Sequence, residues 1–397
     1  MDREICIFVS STDPVNTINY NYKLFTELKE RFNKITIINF IKIKKKKTKI
    51  KIKNFNNLGL KTFIPINNNE FIEFIKFKKI FAIDCLGKDF SFFNIRRLIN
   101  KPNIHLILVI NTGAISNESL TLSRLNFLND FKNKIVRKIY RLLVFIKFFP
   151  SIDLYFDTRK DIIDNINSKI KKLSATQLKF KIFNFLYFKK CFRINCKSYD
   201  NYLLLDKKTK NKKIIFLDGN FRHPDIEKRN GLISESVQKK YFNNLEKVFR
   251  EFEKKFNLPV DICLHPSSDQ SIYEKFFKNR NVIKNRTHHE IVNSEIVLFH
   301  ESSSVTDAIV QKKNIVSLET RLLGNYYFQR IKNYKKLLNL FSINIDENFK
   351  INQNDLLQSF NKSLIKFEKY INNFIKSDNI LSYKKISKIL NKYVEQK

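Results

Sequence analysis

Between Lys213 and Leu318, short apolar runs alternate strictly with segments of helical periodicity. Such alternation is typical of a parallel β-sheet covered by helices on both faces. Ligands on such sheets bind in the crevice at the carboxyl ends of the strands, so the residues after each strand are the first candidates for function. We predict strands at Lys213–Leu217, Val260–Leu264, Val282–Ile283, Ile296–Phe299 and Ile315–Leu318, and helices at Glu235–Phe256, Gln270–Lys278, His288–Val292 and Ser303–Gln311.

The first half of the chain shows a βαβ rhythm that is harder to delimit. In the run Lys42–Lys53, Lys alternates with Ile, which predicts an exposed edge strand or hairpin whose lysines discourage edge-to-edge association. The predicted elements are strands at Ile5–Val9, Ile35–Phe40, Ile80–Ile83, Leu106–Ile110 and Asp153–Phe156, with a helix around Tyr22–Phe32.

A chain of 397 residues is long enough for two domains that each bury a core. The polar tract Asp206–Lys213 (DKKTKNKK) is the expected connection, with the boundary near Asn211. We therefore predict an α/β protein with a Rossmann-like N-terminal lobe at 1–205, a Rossmann-like C-terminal lobe at 206–345 and helices at 346–397. The tail from Asn352 is expected to contribute packing, and one option is that it crosses back over the first lobe.

The strong positive charge points to polyanionic partners. Lys+Arg number 75 and Asp+Glu 38, so the formal net charge is 75 − 38 = +37. Nucleic acid, anionic lipid headgroups and phosphorylated substrates all fit this charge. An abundance of Lys, Ile, Asn and Phe beside only 6 Gly and 1 Met is also typical of an AT-rich genome, so drift in composition is an equal explanation.

The segment Phe131–Phe149 (FKNKIVRKIYRLLVFIKFF) interleaves cations with apolar residues and is predicted to be a basic amphipathic helix. Such a helix can lie on an anionic membrane surface, or it can pack as a core helix with a solvated basic face. The start of the sequence lacks signal-peptide features, and no stretch reaches the length of a membrane span. We therefore expect a cytoplasmic protein, with peripheral attachment to the inner membrane left open.

The five cysteines are expected to be reduced thiols, since three of them lie in apolar strand-like runs. Cys191 and Cys196 lack a second pair with metal-ligand spacing, so we expect no zinc site.

Three predicted strand ends carry polar residues that a purely structural loop does not require. Asp218-Gly219 follows KIIFL, His265-Pro266 follows VDICL, and Glu301–Ser304 follows IVLFH. The serines precede a predicted helix, where free N–H groups and hydroxyls favour an anion, although one serine would suffice as a helix cap. A strand-end histidine can donate a proton near neutral pH, and an aspartate can act as a general base. His223, Asp225 and His300 are further candidates.

The order DG, then HP, then a serine pair in ESSSVTDAIVQKKNIVSL resembles the C-terminal lobe of GT-B glycosyltransferases. Within that fold it looks most like bacterial sialyltransferases and polysialyltransferases, whose signatures are an acidic-acidic-Gly motif, an HP motif and a Ser/Thr pair. The similarity covers about a quarter of the chain. One departure is Leu217, which stands where the family has its first acidic residue.

The resemblance implies roles for individual residues. Asp218 would deprotonate the acceptor hydroxyl, and His265, in its motif with Pro266, would assist departure of the nucleotide phosphate. Ser303 with a neighbouring serine, Ser302 or Ser304, would hydrogen-bond that phosphate. The donor would be a CMP-activated sugar, transferred with inversion and without an obligatory metal or other cofactor. The loop 10–16, with Ser11 and Asp13, would face the acceptor.

Two neighbouring classes share the serine element and are alternatives. They are transferases of other CMP-sugars such as Kdo, and polyol-phosphate transferases or epimerases that use nucleotide diphosphates. The sequence contains neither a G-x-G-x-x-G fingerprint nor a P-loop pattern, which argues against a dinucleotide oxidoreductase and against an NTPase. The leading hypothesis is an inverting, sialyltransferase-like glycosyltransferase acting on a glycan or glycolipid acceptor in capsule or lipooligosaccharide synthesis. The alternatives are a non-catalytic GT-B-like scaffold and a nucleic-acid-binding protein, although we expect no specific nucleic-acid partner.

Overall fold

A computed structural model describes residues 2–11, 21–32, 34–45, 59–86, 90–111, 139, 142–144, 146–175, 188–205, 212–222, 227 and 231–397. These residues form two compact units. Unit 1 holds Met1–Thr112, Leu122–Lys197 and Lys376–Lys397, and unit 2 consists mainly of Ser198–Ile375.

Unit 1 is built on a seven-stranded parallel sheet in the order β3-β2-β1-β4-β5-β6-β7. Its strands are β1 Asp2–Val9, β2 Ile35–Asn39, β3 Lys61–Phe63, β4 Lys78–Asp84, β5 Ile104–Ile110, β6 Ile152–Asp157 and β7 Phe188–Arg193. Its helices are α1 Tyr22–Arg31, α2 Ile41–Lys45, α3 Asn68–Ile75, α4 Phe93–Leu98, α5 Lys160–Ala175 and, at the end of the chain, α13 Ser382–Glu395.

Both faces of this sheet are covered, which explains why its central strands are almost wholly apolar. On one face, Phe25 of α1 packs in the same cluster as Ile386 and Leu390 of α13. On the other face, Phe40 and Phe71 form edge-to-face aromatic contacts over the sheet. The last helix therefore returns to the first unit and closes one side of its core.

Unit 2 is built on a six-stranded parallel sheet in the order β10-β9-β8-β11-β12-β13. Its strands are β8 Lys213–Leu217, β9 Val260–Leu264, β10 Val282–Lys284, β11 Ser294–Phe299, β12 Asn314–Glu319 and β13 Phe341–Asn344. Its helices are α6 Lys197–Leu203 (its first residue is the last of unit 1), α7 Glu235–Phe256, α8 Gln270–Phe276, α9 Thr287–Val292, α10 Val305–Val310, α11 Asn325–Leu338 and α12 Gln353–Tyr370.

The longest helix of unit 2, α7, has clear signals at both ends. The Ser234 side chain accepts a hydrogen bond from the Val237 N–H, and Asn257 ends the helix in the left-handed conformation with φ 52°. Arg280, from the loop before β10, forms ion pairs with Glu246 at 2.8 Å and Glu253. A buried guanidinium that joins two turns of α7 fixes the helix beside β9.

The predicted fold class is confirmed, because two parallel α/β sheets with Rossmann-like connections and C-terminal helices are present. The interpretation of Lys42–Lys53 as a strand is wrong for the part that is described, since Ile41–Lys45 is helical. The reason is local: Ile41 is buried and the Lys44 ammonium lies 3.7 Å from the Phe92 ring centroid. The helix thus buries the apolar positions and the lysine stem together.

Of the predicted amphipathic segment Phe131–Phe149, residues 139, 142–144 and 146–149 are described, and 139 and 142–144 are helical. The rest of that segment lies outside the described residues. Among the described helices, none has the length and apolar character needed to cross a membrane.

Candidate functional site

The three polar strand ends meet at one edge of the unit 2 sheet. Strand β8 lies between β9 and β11, and Leu217 pairs in register with both Cys263 and Phe299. The loops after these strands therefore start at the same level. Strands β9 and β11 are two strand spacings apart, about 10 Å, which is a span suited to a nucleotide phosphate and its ribose.

Asp218 is held by the loop that follows β9. Its Oδ2 accepts hydrogen bonds from the Ser268 hydroxyl at 2.5 Å and from the His265 backbone N–H at 3.4 Å. Its Oδ1 accepts a hydrogen bond from the Tyr273 hydroxyl at 2.8 Å. The residue is only 3% exposed. Both carboxylate oxygens are thus engaged inside the protein, which favours a positioning role for Asp218.

Gly219 brings the loop after β8 against the loop after β11. A β-carbon at this position would overlap the backbone oxygen of Glu301 and lie 3.0 Å from its carbonyl carbon. The Tyr327 hydroxyl occupies the same space. Only a residue without a side chain allows this approach. The Asp218-Gly219 pair therefore ties the β9 loop to the β11 loop.

A short hydrogen-bond relay orients the imidazole of His265. Asn220 Nδ2 donates to the Ser267 hydroxyl at 2.7 Å, and that hydroxyl lies 2.8 Å from His265 Nδ1. The Ser267 backbone N–H also donates to Nδ1, at 3.2 Å. An Nδ1 that accepts these bonds leaves the ring proton of the neutral imidazole on Nε2. Asn220 adopts φ 48°, a conformation that asparagine tolerates better than most residues.

The serine cluster forms a turn ahead of α10. The backbone N–H groups of Val305, Thr306 and Asp307 are satisfied by the carbonyls of the three serines. Ser302 is buried, Ser303 is exposed and Ser304 is half-buried. In the described part of the chain, the hydroxyls and backbone N–H groups of Ser303 and Ser304 have no hydrogen-bond partner. These donors are available to an anion.

His300, the last residue before this loop, is part of the floor beneath it. It is fully buried against Phe216, Tyr241 and Tyr327, with ring-centroid separations of 5.5, 5.5 and 6.2 Å. Burial lowers its pKa to about 4, against a smaller opposing effect of its hydrogen bond to the Leu318 carbonyl oxygen. His300 is therefore neutral at pH 7 and acts as a packing residue.

Two cations near the site were not singled out from the sequence. The Lys284 ammonium donates to the Ser268 carbonyl oxygen at 2.9 Å, and Arg222 donates to the Gln238 side chain at 2.6 Å. The pKa of Asp269 is lowered by its hydrogen bonds with Ser271, and the charges of Lys284 and Arg222 add to that effect. The edge of the sheet near β9 thus carries positive charge, which an anionic ligand requires.

The remaining predicted residues are Pro266, Ser11, Asp13, His223, Asp225 and the cysteines. Pro266 is exposed beside His265, and the Ser11 backbone N–H and carbonyl both bond to the Asn39 side chain in unit 1, at 3.2 and 2.8 Å. Asp13, His223 and Asp225 lie outside the described residues. All five cysteines are free thiols, as predicted; Cys6, Cys191, Cys196 and Cys263 are buried, and Cys85 is half-buried. Within the described ranges, no cluster of His, Cys, Asp and Glu is arranged to hold a metal ion.

Similarity to known proteins is confined to structure. No family model matches the sequence, and no curated protein matches it significantly. The wall teichoic acid polymerase TagF superposes with a TM-score of 0.52 at 13% identity, over 99% of this chain and 89% of that chain. The calicheamicin glycosyltransferase CalG4 gives 0.46 at 9% identity over 99% and 98%. The UDP-GlcNAc 2-epimerase from Neisseria meningitidis, bound to UDP-GlcNAc, gives 0.46 at 11% identity over the full length of both chains.

Identity at this level shows the fold alone. The seven-stranded and six-stranded parallel sheets, together with the TagF superposition, give the chain the two-lobe GT-B fold.

Proposed function

We propose that the protein is a GT-B glycosyltransferase whose unit 2 binds a nucleotide-activated sugar at the carboxyl ends of β8, β9 and β11. The observation that carries this proposal is the pairing of unsatisfied donors at Ser303 and Ser304 with an imidazole whose proton is directed to Nε2 at His265. Hydrogen-bond donors and nearby cations are the groups that recognise a phosphate.

In the proposed reaction, the oxygen of an acceptor hydroxyl attacks the anomeric carbon of the donor sugar and loses its proton, to Asp218 in the version in which that carboxylate is the base and to water in the version in which it positions the loop. The bond from that carbon to the phosphate oxygen breaks, and the nucleotide leaves with its phosphate. Hydrogen bonds from His265 and the serines stabilise the charge that grows on the leaving oxygens. A single displacement of this kind inverts the configuration at the anomeric carbon.

The identities of the donor and the acceptor are proposed from the motif resemblance. We propose a CMP-activated, sialic-acid-like donor and a glycan or glycolipid acceptor of capsule or lipooligosaccharide synthesis. Ser11 and Asp13 stay the predicted acceptor-side residues, and a cytoplasmic, membrane-peripheral location fits this chemistry. No metal or other cofactor is assigned a step.

The role of Asp218 separates two versions of the proposal. As a general base it must accept the acceptor proton, whereas its hydrogen bonds to Ser268 and Tyr273 favour a positioning role. The same bonds, with Leu217 in place of an acid, favour a second candidate function: a GT-B-shaped scaffold that binds nucleotide without transferring sugar.

Nucleotide release is the test of this proposal. Purified protein is incubated with CMP-sialic acid and, in parallel, with UDP-N-acetylglucosamine, and free nucleotide is measured with time. Release from the CMP-sugar that is lost in Ser303→Ala/Ser304→Ala supports the transferase. Release from the UDP-sugar alone would reject the CMP assignment, and absence of release from both, with nucleotide binding intact, would leave the scaffold as the better account.

A further inference from the structure

A surface cavity of about 760 Å³ opens in unit 1 among α2, α3 and α4. No acidic side chain appears in its described lining. The polar part of that lining consists of three cations, Lys42, Arg97 and Lys101, and of amides at Asn67–Asn69 and Asn94.

Within the described part of the chain, no acidic side chain neutralises these three cations. Lys42, Arg97 and Lys101 form no ion pair with any acidic residue of the described ranges. Arg97 and Lys101 are exposed at the rim, and Lys42 is half-buried. Uncompensated positive charge beside amide N–H donors is the chemistry that recognises a phosphate group.

An exposed apolar stripe lies on the segment of unit 1 that ends at Phe149. Ile139, Leu142 and Ile146 are 39%, 58% and 57% exposed, at the spacing of three and four residues that places side chains on one helical face. Val144 and Phe149 are buried and anchor the same segment to unit 1. Three large aliphatic side chains that face water side by side indicate a partner surface.

Direct contacts join the end of the segment that carries the stripe to α4 and the residues just after it, part of which lines the cavity. The guanidinium carbon of Arg97, which lines the cavity, lies 5.3 Å from the ring centroid of Phe148. Asn100 Nδ2, at the end of α4, donates to the Lys147 carbonyl oxygen at 2.7 Å. The Phe93 ring packs against Phe148 at a centroid separation of 5.6 Å. The cationic cavity and the apolar stripe therefore lie on adjoining elements of unit 1, and we call the two together the docking face.

We propose that the docking face binds a bilayer that contains anionic phospholipid, with a lipid phosphate in the cavity and Ile139, Leu142 and Ile146 among the acyl chains. A cationic pocket beside exposed aliphatic side chains matches the headgroup and tail of one amphiphile. A soluble anion or a nucleic acid would give the aliphatic stripe no partner, and single-stranded nucleic acid would call for aromatic stacking instead. This inference concerns unit 1 and is independent of nucleotide binding in unit 2.

Vesicle binding of the full chain tests the docking face. Co-sedimentation is measured with phosphatidylcholine vesicles and with vesicles of phosphatidylcholine and phosphatidylglycerol in equal parts. We expect binding only to the anionic vesicles. Arg97→Gln/Lys101→Gln should weaken it by about fivefold for each cation removed, the equivalent of about 1 kcal/mol per cation near an anionic surface. Leu142→Asn/Ile146→Asn should weaken it at least about tenfold.

Matched controls are available on α12 of unit 2. Lys362→Gln/Lys366→Gln removes the same charge from exposed positions, and Leu357→Asn/Ile365→Asn changes exposed apolar residues of the same types. Both control variants should bind anionic vesicles within about twofold of the wild type. A loss in the controls equal to that in the docking-face variants would overturn the proposal, because general charge or hydrophobicity would then explain binding.

Two further titrations, with inorganic phosphate and with a single-stranded oligonucleotide, distinguish the ligand. Vesicle binding that is unchanged in Leu142→Asn/Ile146→Asn would reject a lipid. Oligonucleotide binding that is lost in Arg97→Gln/Lys101→Gln, without any vesicle binding by the wild type, would assign the cavity to nucleic acid. Unchanged nucleotide affinity and thermal unfolding in each variant show that a lost interaction is local.

Discussion

Gly219, in the loop after β8, lies so close to Glu301, in the loop after β11, that a β-carbon at position 219 would overlap the backbone oxygen of Glu301. This contact holds the serine turn, Ser302–Ser304, beside the loop that carries His265. The geometry of the candidate site therefore depends on a residue that has no side chain.

Replacing this glycine should damage both stability and the site. In Gly219→Ala the new methyl group meets backbone atoms on Glu301, which cannot swing aside as a side chain would, so we expect the free energy of unfolding to fall by about 2 kcal/mol or more. Gly231→Ala is the matched control, because Gly231 has open space around it and only its φ of 82° disfavours alanine. It should cost about 1 kcal/mol and leave nucleotide binding intact. Urea unfolding measures both, and equal costs would contradict the close packing.

Asp218→Asn separates a positioning role from a base. An amide in place of the carboxylate cannot accept from both the Ser268 and Tyr273 hydroxyls, so a positioning residue should lose about 2 kcal/mol of unfolding free energy together with nucleotide affinity. Chemical denaturation measures the unfolding free energy of the variant, and calorimetry on the same sample measures its nucleotide affinity. Full stability and affinity with abolished turnover would instead identify Asp218 as the base.

The two unsatisfied serines should affect binding without affecting folding. Ser303→Ala/Ser304→Ala removes hydroxyls that have no partner within the described chain, so the unfolding free energy should change by less than about 0.5 kcal/mol. Each lost hydrogen bond to a phosphate should cost about 1.5 kcal/mol, which gives roughly a hundredfold loss of nucleotide affinity in the pair. Ser236→Ala, on the exposed side of α7, serves as the control. Equal affinities in both variants would exclude the serine turn from the site.

His300 should make the protein less stable in mild acid. Its pKa is about 4 when folded and 6.5 as a free side chain, so between these pH values the unfolded chain binds the additional proton. The free energy of unfolding should therefore fall as the pH drops from 6.5 to 4, by about 3 kcal/mol from this residue.

His300→Asn keeps a donor for the Leu318 carbonyl and removes the titrating ring. Urea unfolding at pH 7 and pH 4.5 should show a smaller stability difference in this variant than in the wild type. His289→Asn, at an exposed position of α9, should retain the wild-type difference. An unchanged pH dependence in His300→Asn would show that the buried imidazole titrates as it does in water.

Much of unit 2 could be predicted because its strands are buried on both faces and its helices carry end signals. The predicted Glu235–Phe256 helix agrees with α7, and the β8 and β9 bounds agree as well. The Lys42–Lys53 run misled because alternating Lys and Ile also fits a short helix whose lysine stems pack on aromatic rings. Local periodicity does not distinguish an edge strand from such a helix.

The candidate site was only partly accessible to such reasoning. The strand-end rule located Asp218, His265 and the serines, since the carboxyl edge of a parallel sheet gathers them. The groups that hold them in place were missed. Ser268 and Asn220 sit directly beside recognised motifs, so a search for hydrogen-bonding neighbours would have found them. Tyr273 and Tyr327 reach the site through tertiary packing, for which the sequence gives no local signal.

The central claim is that unit 2 binds a nucleotide through His265 and the serine turn. Calorimetric titration with CMP, CDP, UDP and GDP, repeated on His265→Ala, tests it most directly. We predict that CMP binds with higher affinity than the diphosphates and that this binding is lost in His265→Ala. Absence of binding by all four nucleotides, or CMP binding that His265→Ala leaves unchanged, would contradict the account.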